Sequence, residues 1–221
     1  MHIKTLVNII IIIFFVNIGI CSELIELKKK LKNNPDSYST NYNLGSYYEK
    51  NGNYNQAIKY LKKSIEIDKK KVFSYILLGS SLDSLGNYKE SVKTYKLVIN
   101  IDPKNDLIYS MLAMSLTELN DFKGAIKYFK KSIKLNKKNQ KDCAILFGIG
   151  NAYVNIKNYE KAIKPLEEAV IINPKLKNAV MLLGLSYNET GKTEKAFDQY
   201  IKLQEIDREL SVILLEYLSR S

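Results

Sequence analysis

Residues 43–68, NLGSYYEKNGNYNQAIKYLKKSIEID, decide the fold because a related segment, LLGSSLDSLGNYKESVKTYKLVINID, follows in residues 77–102. In both segments the apolar residues step by three and four on either side of a central Gly-Asn pair. That spacing is typical of one face of an α-helix, and a Gly-Asn pair is typical of a turn. Each segment therefore predicts two helices joined by a short turn.

An Asn or Asp at the end of each second helix fixes the period of the repeat. These markers are Asn34, Asp68, Asp102, Asn136, Asn173 and Asp207. Successive markers lie 34 residues apart, except for one step of 37 that places three extra residues within 137–142. A fixed period of this length indicates stacked supersecondary units.

Aligned on the markers, five repeats cover residues 38–71, 72–105, 106–139, 143–176 and 177–210. Their eighth residue is small: Gly45, Gly79, Ala113, Gly150 and Gly184. Their twentieth residue is also small: Ala57, Ser91, Ala125, Ala162 and Ala196. Their twenty-fourth residue is large: Leu61, Tyr95, Phe129, Leu166 and Tyr200. Because side-chain size sets the distance between packed helices, this pattern predicts a close helix contact flanked by large side chains.

The repeat length, the small and aromatic positions and the Gly/Asn turns together resemble the tetratricopeptide repeat family over residues 38–210. The resemblance implies an all-α fold, an α-α superhelix (solenoid) of five helical hairpins. Terminal repeats need caps. We expect an N-terminal capping helix within 22–37, covering the first repeat with Leu24, Ile25, Leu27 and Leu31, and a C-terminal capping helix at 211–221.

The resemblance also implies a protein or peptide partner, because the first helices of such repeats line a concave groove. Carried over position by position, the groove contains Tyr42, Ser46, Glu49, Phe73, Ile76, Ser80, Asp83, Leu107, Ser110, Met114, Glu118, Phe147, Asn151, Val154, Met181, Leu185 and Asn188. Aromatic and methionine side chains there can hold apolar anchors of an extended or helical segment. Packing between repeats is the alternative role for some of them.

Residues 1–21 differ from the repeats. Lys4 and the amino terminus precede an unbroken apolar run from Ile9 to Val16. This length favours a signal peptide over a membrane-spanning helix, which needs about 20 apolar residues. Cys21 follows in a context that resembles a bacterial lipoprotein processing site, although Ile20 stands where that family prefers a small residue. We expect a lipid-anchored protein on the periplasmic side of the cell envelope. Ordinary cleavage with secretion, and retention as an uncleaved anchor, are the alternatives.

The sequence contains little that could support catalysis. The only histidine is His2, inside the export segment, which excludes Ser-His or Cys-His nucleophile pairs and histidine metal sites from the mature protein. Gly-rich phosphate loops, paired-cysteine motifs and calcium loops are missing from the sequence. We expect no enzymatic activity, cofactor or metal. Cys143 is interpreted as a small packing residue, with a reactive thiol as the alternative.

The formal net charge of +11 raises the question of an anionic partner. Arg208 and Arg220 are the only arginines among 34 basic residues, which argues against nucleic acid because bidentate contacts to phosphate and guanine favour arginine. The lysines instead recur at two positions of the second helices: Lys59, Lys93, Lys127 and Lys164, then Lys62, Lys96 and Lys130. They predict a solvated outer face, or alternatively contact with an anionic lipid or polymer.

The sequence therefore favours a protein-protein interaction scaffold of the bacterial cell envelope that binds a partner segment in its groove. Binding of an anionic surface or polymer through the lysines is one alternative. Self-association through the apolar C-terminal helix is another, because apolar residues occupy more than one stripe of that helix: Leu210, Val212, Ile213, Leu214, Leu215 and Leu218. The partner and the oligomeric state are left undetermined.

Overall fold

The computed structural model describes residues 22–219 as twelve α-helices and one short 3-10 helix, with no strand in that part of the chain. Helix α1 is described over 22–33. The remaining elements are α2 (Tyr38–Lys50), α3 (Tyr54–Ile67), α4 (Val72–Ser84), α5 (Tyr88–Ile101), α6 (Asp106–Glu118), α7 (Phe122–Leu135), η1 (Lys137–Lys141), α8 (Cys143–Asn155), α9 (Tyr159–Ile172), α10 (Lys177–Glu189), α11 (Thr193–Ile206) and α12 (Arg208–Leu218). The predicted all-α repeat fold is confirmed.

The predicted signal peptide and Cys21 lie outside the described residues. Among residues 22–219, none of the helices combines the length and the apolar composition needed to cross a bilayer.

Contacts divide the chain into two compact units, one ending at Ile101 and the other beginning at Asp102. Hairpins α2–α3 and α4–α5 belong to the first unit, and hairpins α6–α7, α8–α9 and α10–α11 to the second. Within each unit a second helix packs against the next first helix, and successive first helices also contact each other. Comparable packing does not join the second helices of neighbouring repeats in the described part of the chain, so the first helices form the inner side of each unit.

The hairpin turns need a left-handed backbone at one residue. Gly52, Gly86 and Gly191 supply it with φ of 72°, 73° and 73°. In the other two turns Asn120 and Lys157 adopt φ of 59° and 58°. In the fourth repeat Lys157, and not Asn158 after it, therefore adopts the left-handed conformation. This conformation costs a residue with a side chain about 1–2 kcal/mol.

The small eighth residue allows close contact within a hairpin. A Cβ atom at Gly45 would lie 2.6 Å from Leu61 Cγ, and one at Gly150 would lie 2.5 Å from Leu166 Cγ. Both leucines are the twenty-fourth residues of their own repeats. The predicted small and large positions thus meet within a hairpin, and the helix cost of an interior glycine, about 1 kcal/mol, is offset by packing.

The fifth repeat departs from this pairing. A Cβ at Gly184 would meet Leu214 Cδ2 of α12 at 2.7 Å. The twenty-fourth residue, Tyr200, is instead half-buried, with its ring centroid 5.1 Å from that of Phe197. Because α12 packs against both α10 and α11, Leu214 fills the space that the twenty-fourth residue fills elsewhere.

Both ends of the array carry a helix. Leu27 of α1 is buried with Leu44 and Tyr47, and Leu24 and Leu31 pack against this cluster. The predicted capping residue Ile25 is 67% exposed and does not cover the first repeat.

At the other end, α12 begins at Arg208, three residues before the predicted position. The reason is local: Asp207 Oδ1 accepts a hydrogen bond from Leu210 N at 3.1 Å and caps the helix directly after the marker.

The three-residue insertion forms η1 and is tied to α6. Asn136 and Asn139 both donate to Asp106 Oδ2, at 3.0 and 2.9 Å. Asn139 also donates to Ser132 Oγ at 2.8 Å. Burial alone would raise the pKa of Asp106, but the two amide hydrogen bonds outweigh it and hold that pKa below its usual value. The charged carboxylate therefore fixes the insertion against the third repeat.

Candidate partner-binding faces

The predicted groove residues lie on the first helices and fall into two sets, one in each unit. We call the inner surface of the first unit the α2–α4 face; it carries Tyr42, Ser46, Glu49, Phe73, Ile76, Ser80 and Asp83. We call the inner surface of the second unit the α6–α8–α10 face; it carries Leu107, Ser110, Met114, Glu118, Phe147, Asn151, Val154, Met181, Leu185 and Asn188.

Phe73 dominates the apolar part of the α2–α4 face, since its side chain is 63% exposed. Tyr42 is half-buried and packs against the hydrophobic core; its ring stacks on Tyr38 with centroids 6.0 Å apart. Burial, followed by the neighbouring Tyr38, raises the pKa of Tyr42, so its phenol stays neutral and able to donate a hydrogen bond. The face thus offers one large exposed ring beside a fixed aromatic surface.

Acidic groups on the same face are held by neighbouring side chains. Ser80 Oγ donates to Glu49 Oε1 at 3.4 Å and links α4 to α2. Tyr95 OH donates to Asp83 Oδ2 at 2.9 Å. Burial and then the Asp83 charge raise the pKa of Tyr95, so its hydroxyl stays protonated and donates to the carboxylate. These contacts hold two carboxylates in place at the rim of the face.

A polar cleft of about 450 Å³ lies where α1 meets α2. Its lining includes Ser46, Asn43 and Lys50. Together they supply a hydroxyl, an amide and an ammonium group for hydrogen bonds. Only Ser46 was assigned to the groove from the sequence, because the cleft depends on how α1 is placed.

The α6–α8–α10 face is the more apolar of the two. Leu107 and Met114 lie two helical turns apart on α6, and each is 53% exposed. Phe147 on α8 and Met181 and Leu185 on α10 are half-buried. These flexible or aromatic side chains form a surface that can adapt to apolar anchors of a partner.

The polar residues of this face lie at its edge. Glu118 at the end of α6 is exposed. Asn151 is half-buried, and its Oδ1 accepts a hydrogen bond from Asn155 Nδ2 at 3.0 Å.

Three predicted groove residues are buried rather than exposed: Ser110, Val154 and Asn188, at 7%, 8% and 8% exposure. Ser110 Oγ donates back to Leu107 O at 2.8 Å. Phe147 occupies the position in its repeat that Ser110 occupies in the third, but its longer side chain remains half-exposed. Val154 and Asn188 lie on α8 and α10, which pack against each other.

Charge separates the inner helices from the outer ones. The five first helices carry five carboxylates and two lysines, whereas the five second helices carry fifteen lysines and eight carboxylates. The lysines of the two predicted columns are all exposed. The inner faces therefore suit a segment with neutral or basic flanks, and the outer side suits anions.

The described part of the chain offers little reactive chemistry. Within residues 22–219, no group of three or more His, Cys, Asp or Glu side chains is placed to hold a metal ion. Cys143 is half-buried, and its thiol donates to Ala169 O at 3.6 Å. Burial, reinforced by Asp142, raises the pKa of this thiol, which opposes formation of the nucleophilic thiolate.

Comparison with protein families gives one match. The model described as "Tetratricopeptide repeat" matches residues 38–71, 74–105, 107–139, 144–176 and 178–210. No curated protein matches the sequence.

Solved structures with the same arrangement of helices include a crystal structure of MamA protein, with 21% identity, coverage of 78% of this chain and 92% of that chain, and a TM-score of 0.69. MamA 41-end from Desulfovibrio magneticus RS-1 gives 19% identity, 78% and 96% coverage, and a TM-score of 0.71. YrrB, described as a TPR protein with an unusual peptide-binding site, gives 20% identity, 86% and 97% coverage, and a TM-score of 0.74. At such identities the likeness shows the fold alone.

Proposed function

The chain belongs to the tetratricopeptide repeat family, and from this premise we propose that it is a non-enzymatic adaptor that binds a segment of a partner protein through its first-helix faces. The observation that carries the proposal is the exposure of large apolar side chains on these inner helices: Phe73 at 63%, Leu107 at 53% and Met114 at 53%. Apolar side chains that cluster on a concave surface rimmed by polar groups are typical of interaction sites.

The exposed apolar side chains and the charges of the first helices together indicate what kind of partner segment would bind. Its apolar anchors contact Phe73 on the α2–α4 face, or Met114 and Leu107 on the α6–α8–α10 face. Its flanks are neutral or basic, since carboxylates outnumber lysines on the first helices. The structural likeness to YrrB, whose description names a peptide-binding site, supports a peptide-like segment as the ligand.

Loss of the two inner phenyl rings tests this function. In Phe73→Ala plus Phe147→Ala, we expect partner recovery from intact cells, after crosslinking and pull-down, to fall by at least tenfold, because central aromatic anchors contribute about 2 kcal/mol or more each. The matched control is Phe197→Ala, which removes a 47% exposed ring from the second helix α11. Recovery of the same partners by the double variant, with its helical content unchanged, would reject the inner faces as the binding site.

We also propose that the adaptor is exported and lipid-anchored at Cys21 on the periplasmic side of the cell envelope. The apolar run Ile9–Val16 followed by Cys21 supports this proposal.

Cys21→Ser is expected to abolish acylation and to move the protein from the detergent phase to the aqueous phase in a phase-partition assay, because the acyl chains supply the membrane affinity. Mass spectrometry of the mature amino terminus measures the same change directly. Cys143→Ser serves as the control and keeps the lipid. Wild-type protein that retains residues 1–21, or that partitions like Cys21→Ser, would contradict the lipid anchor.

A further inference from the structure

A cleft of about 590 Å³ opens on the outer side of the second unit, away from the first-helix faces. It lies between the second helices α7 and α9, and α8 forms its floor with Leu146, Ile149 and Tyr153. Ile133 of α7 and Pro165 of α9 add apolar walls. Ligand pockets typically have volumes of about 300–1,000 Å³ with mostly apolar linings, so the α7–α9 cleft has the size and character of one.

At the cleft, the fourth repeat lacks a tyrosine that two earlier repeats carry. Tyr75 and Tyr109 are the fourth residues of their first helices, and each phenol donates to the carbonyl six residues earlier, Lys69 O at 3.2 Å and Pro103 O at 3.1 Å. In the fourth repeat the same two positions hold Leu146 and Gln140, and both line the cleft. A leucine is too short to close this space.

Lysines give the rim of the cleft an excess of positive charge. Lys130, Lys161 and Lys164 line it together with Glu160 and Glu168. Glu160 already forms an ion pair with Lys192, whose Nζ lies 3.2 Å from Glu160 Oε1. The positive charge therefore exceeds what the cleft's own carboxylates neutralise.

The positive groups are concentrated at one end of the cleft. Lys130 Nζ donates to Tyr153 OH at 2.8 Å and lies 5.4 Å from the centroid of that ring. Because α8 and α9 run antiparallel from their shared turn, Tyr153 and Lys161 lie near the turn, whereas Leu146 and Glu168 lie away from it. The cleft thus has a cationic end near the turn and an apolar floor, Ile149 and Leu146, that extends toward Gln140 and Glu168 at the other end.

We propose that the α7–α9 cleft binds a small amphipathic carboxylate, with its acid group at Lys161, Lys164 and Lys130 and its apolar part on Leu146 and Ile149. The lining of the cleft indicates this class of ligand. An apolar part of the ligand is needed to cover the floor, and a single anionic group is needed beside the lysines at the rim. This site is separate from the inner faces and does not depend on the function proposed for them.

Isothermal titration calorimetry of the full chain with octanoate and with 4-phenylbutyrate tests the proposal. Saturable binding of at least one of these carboxylates with one site per chain is expected. Octylamine and 4-phenylbutanol are the matched ligands that lack the acid, and we expect at least tenfold weaker binding from both. No saturable heat with either carboxylate, or equal binding of the alcohol or the amine, would overturn the proposal.

Leu146→Tyr tests the position of the site, because it restores the side chain that fills this space at Tyr75 and Tyr109. We expect binding to be lost while circular dichroism stays that of the native protein. Lys161→Gln plus Lys164→Gln provides an independent test and should weaken binding about fivefold, as expected for two exposed charge contacts. Its control is Lys59→Gln plus Lys62→Gln, which removes outer-face lysines from the first unit. Unchanged binding in a folded Leu146→Tyr variant, or in the Lys161/Lys164 variant, would exclude this cleft.

Discussion

Phe129→Ala is expected to lower the free energy of unfolding by about 3–5 kcal/mol, the cost of removing a buried phenyl ring. Phe129 is 1% exposed. Its ring packs from α7 onto α8 of the next repeat, where a Cβ atom at Gly148 would lie 2.5 Å from Phe129 Cζ. The ring therefore joins two hairpins, and truncating it leaves a cavity between them. Chemical denaturation followed by circular dichroism measures the change.

The control for this prediction is Phe73→Ala, since Phe73 has the same side chain but is 63% exposed. We expect its free energy of unfolding to change by no more than about 0.5 kcal/mol. The pair thus separates a phenylalanine that holds repeats together from one that is available to a partner. A loss below about 1 kcal/mol for Phe129→Ala would mean that the space between α7 and α8 is not closely packed.

The importance of Phe129 could be predicted from the sequence, because a register repeated five times fixes which side of each helix is buried. The same register predicted the small and large positions that the structure brings together as Gly45 with Leu61 and Gly150 with Leu166. Each pairing reflects one physical requirement: two backbones that approach closely need a small residue on one helix and a large one beside it on the other. The five hairpins and the location of the insertion followed from this, whereas α12 begins three residues earlier than predicted.

Contacts that cross from one repeat to the next were not predictable in the same way. Gly148 lies outside the repeated small positions, yet it receives the ring of Phe129. Tyr200 stands at a core position of the pattern but is half-buried, since Leu214 of α12 takes its place. Which side chain fills such a space depends on the helix that packs next to it. The repeat period describes positions within one repeat and contains no information about that helix.

For the candidate site, too, some features could be predicted from the sequence and others depend on neighbouring helices. The family resemblance assigned Phe73 and Met114 to the groove positions of the first helices, and both side chains are exposed in the structure. The resemblance did not determine exposure, which depends on side-chain length relative to the adjacent helix, and so Ser110 is buried where Phe147 is not. Prediction of the α7–α9 cleft would have required two pieces of information together: that residue 146 is a leucine in place of the tyrosine, and that α7 and α9 leave a gap between them.

Leu214→Asp is expected to detach α12 from the array. Leu214 is fully buried, and a Cβ at Gly184 would lie 2.7 Å from its Cδ2. An unpaired carboxylate in that apolar space costs several kcal/mol, more than a single terminal helix gains by docking. The helix α12 therefore undocks and exposes the carboxylate to water, so the loss of stability is no larger than the free energy that docking of α12 contributed. In hydrogen exchange followed by mass spectrometry, we expect the amides of 208–218 to lose protection and those of α10 and α11 to lose part of theirs.

The neighbouring substitution Ile213→Asp shows why this result follows from packing rather than from helix propensity. Ile213 is 52% exposed, so the same charge on the same helix stays in water. Both changes place aspartate in α12, and the helix propensities of leucine and isoleucine differ by less than about 0.5 kcal/mol, but only Leu214→Asp removes the contact with Gly184. Because stability in a repeat array depends on nearest neighbours, the loss should fade before α6 and α7. Equal protection of 208–218 in the two variants would show that Leu214 does not anchor the cap.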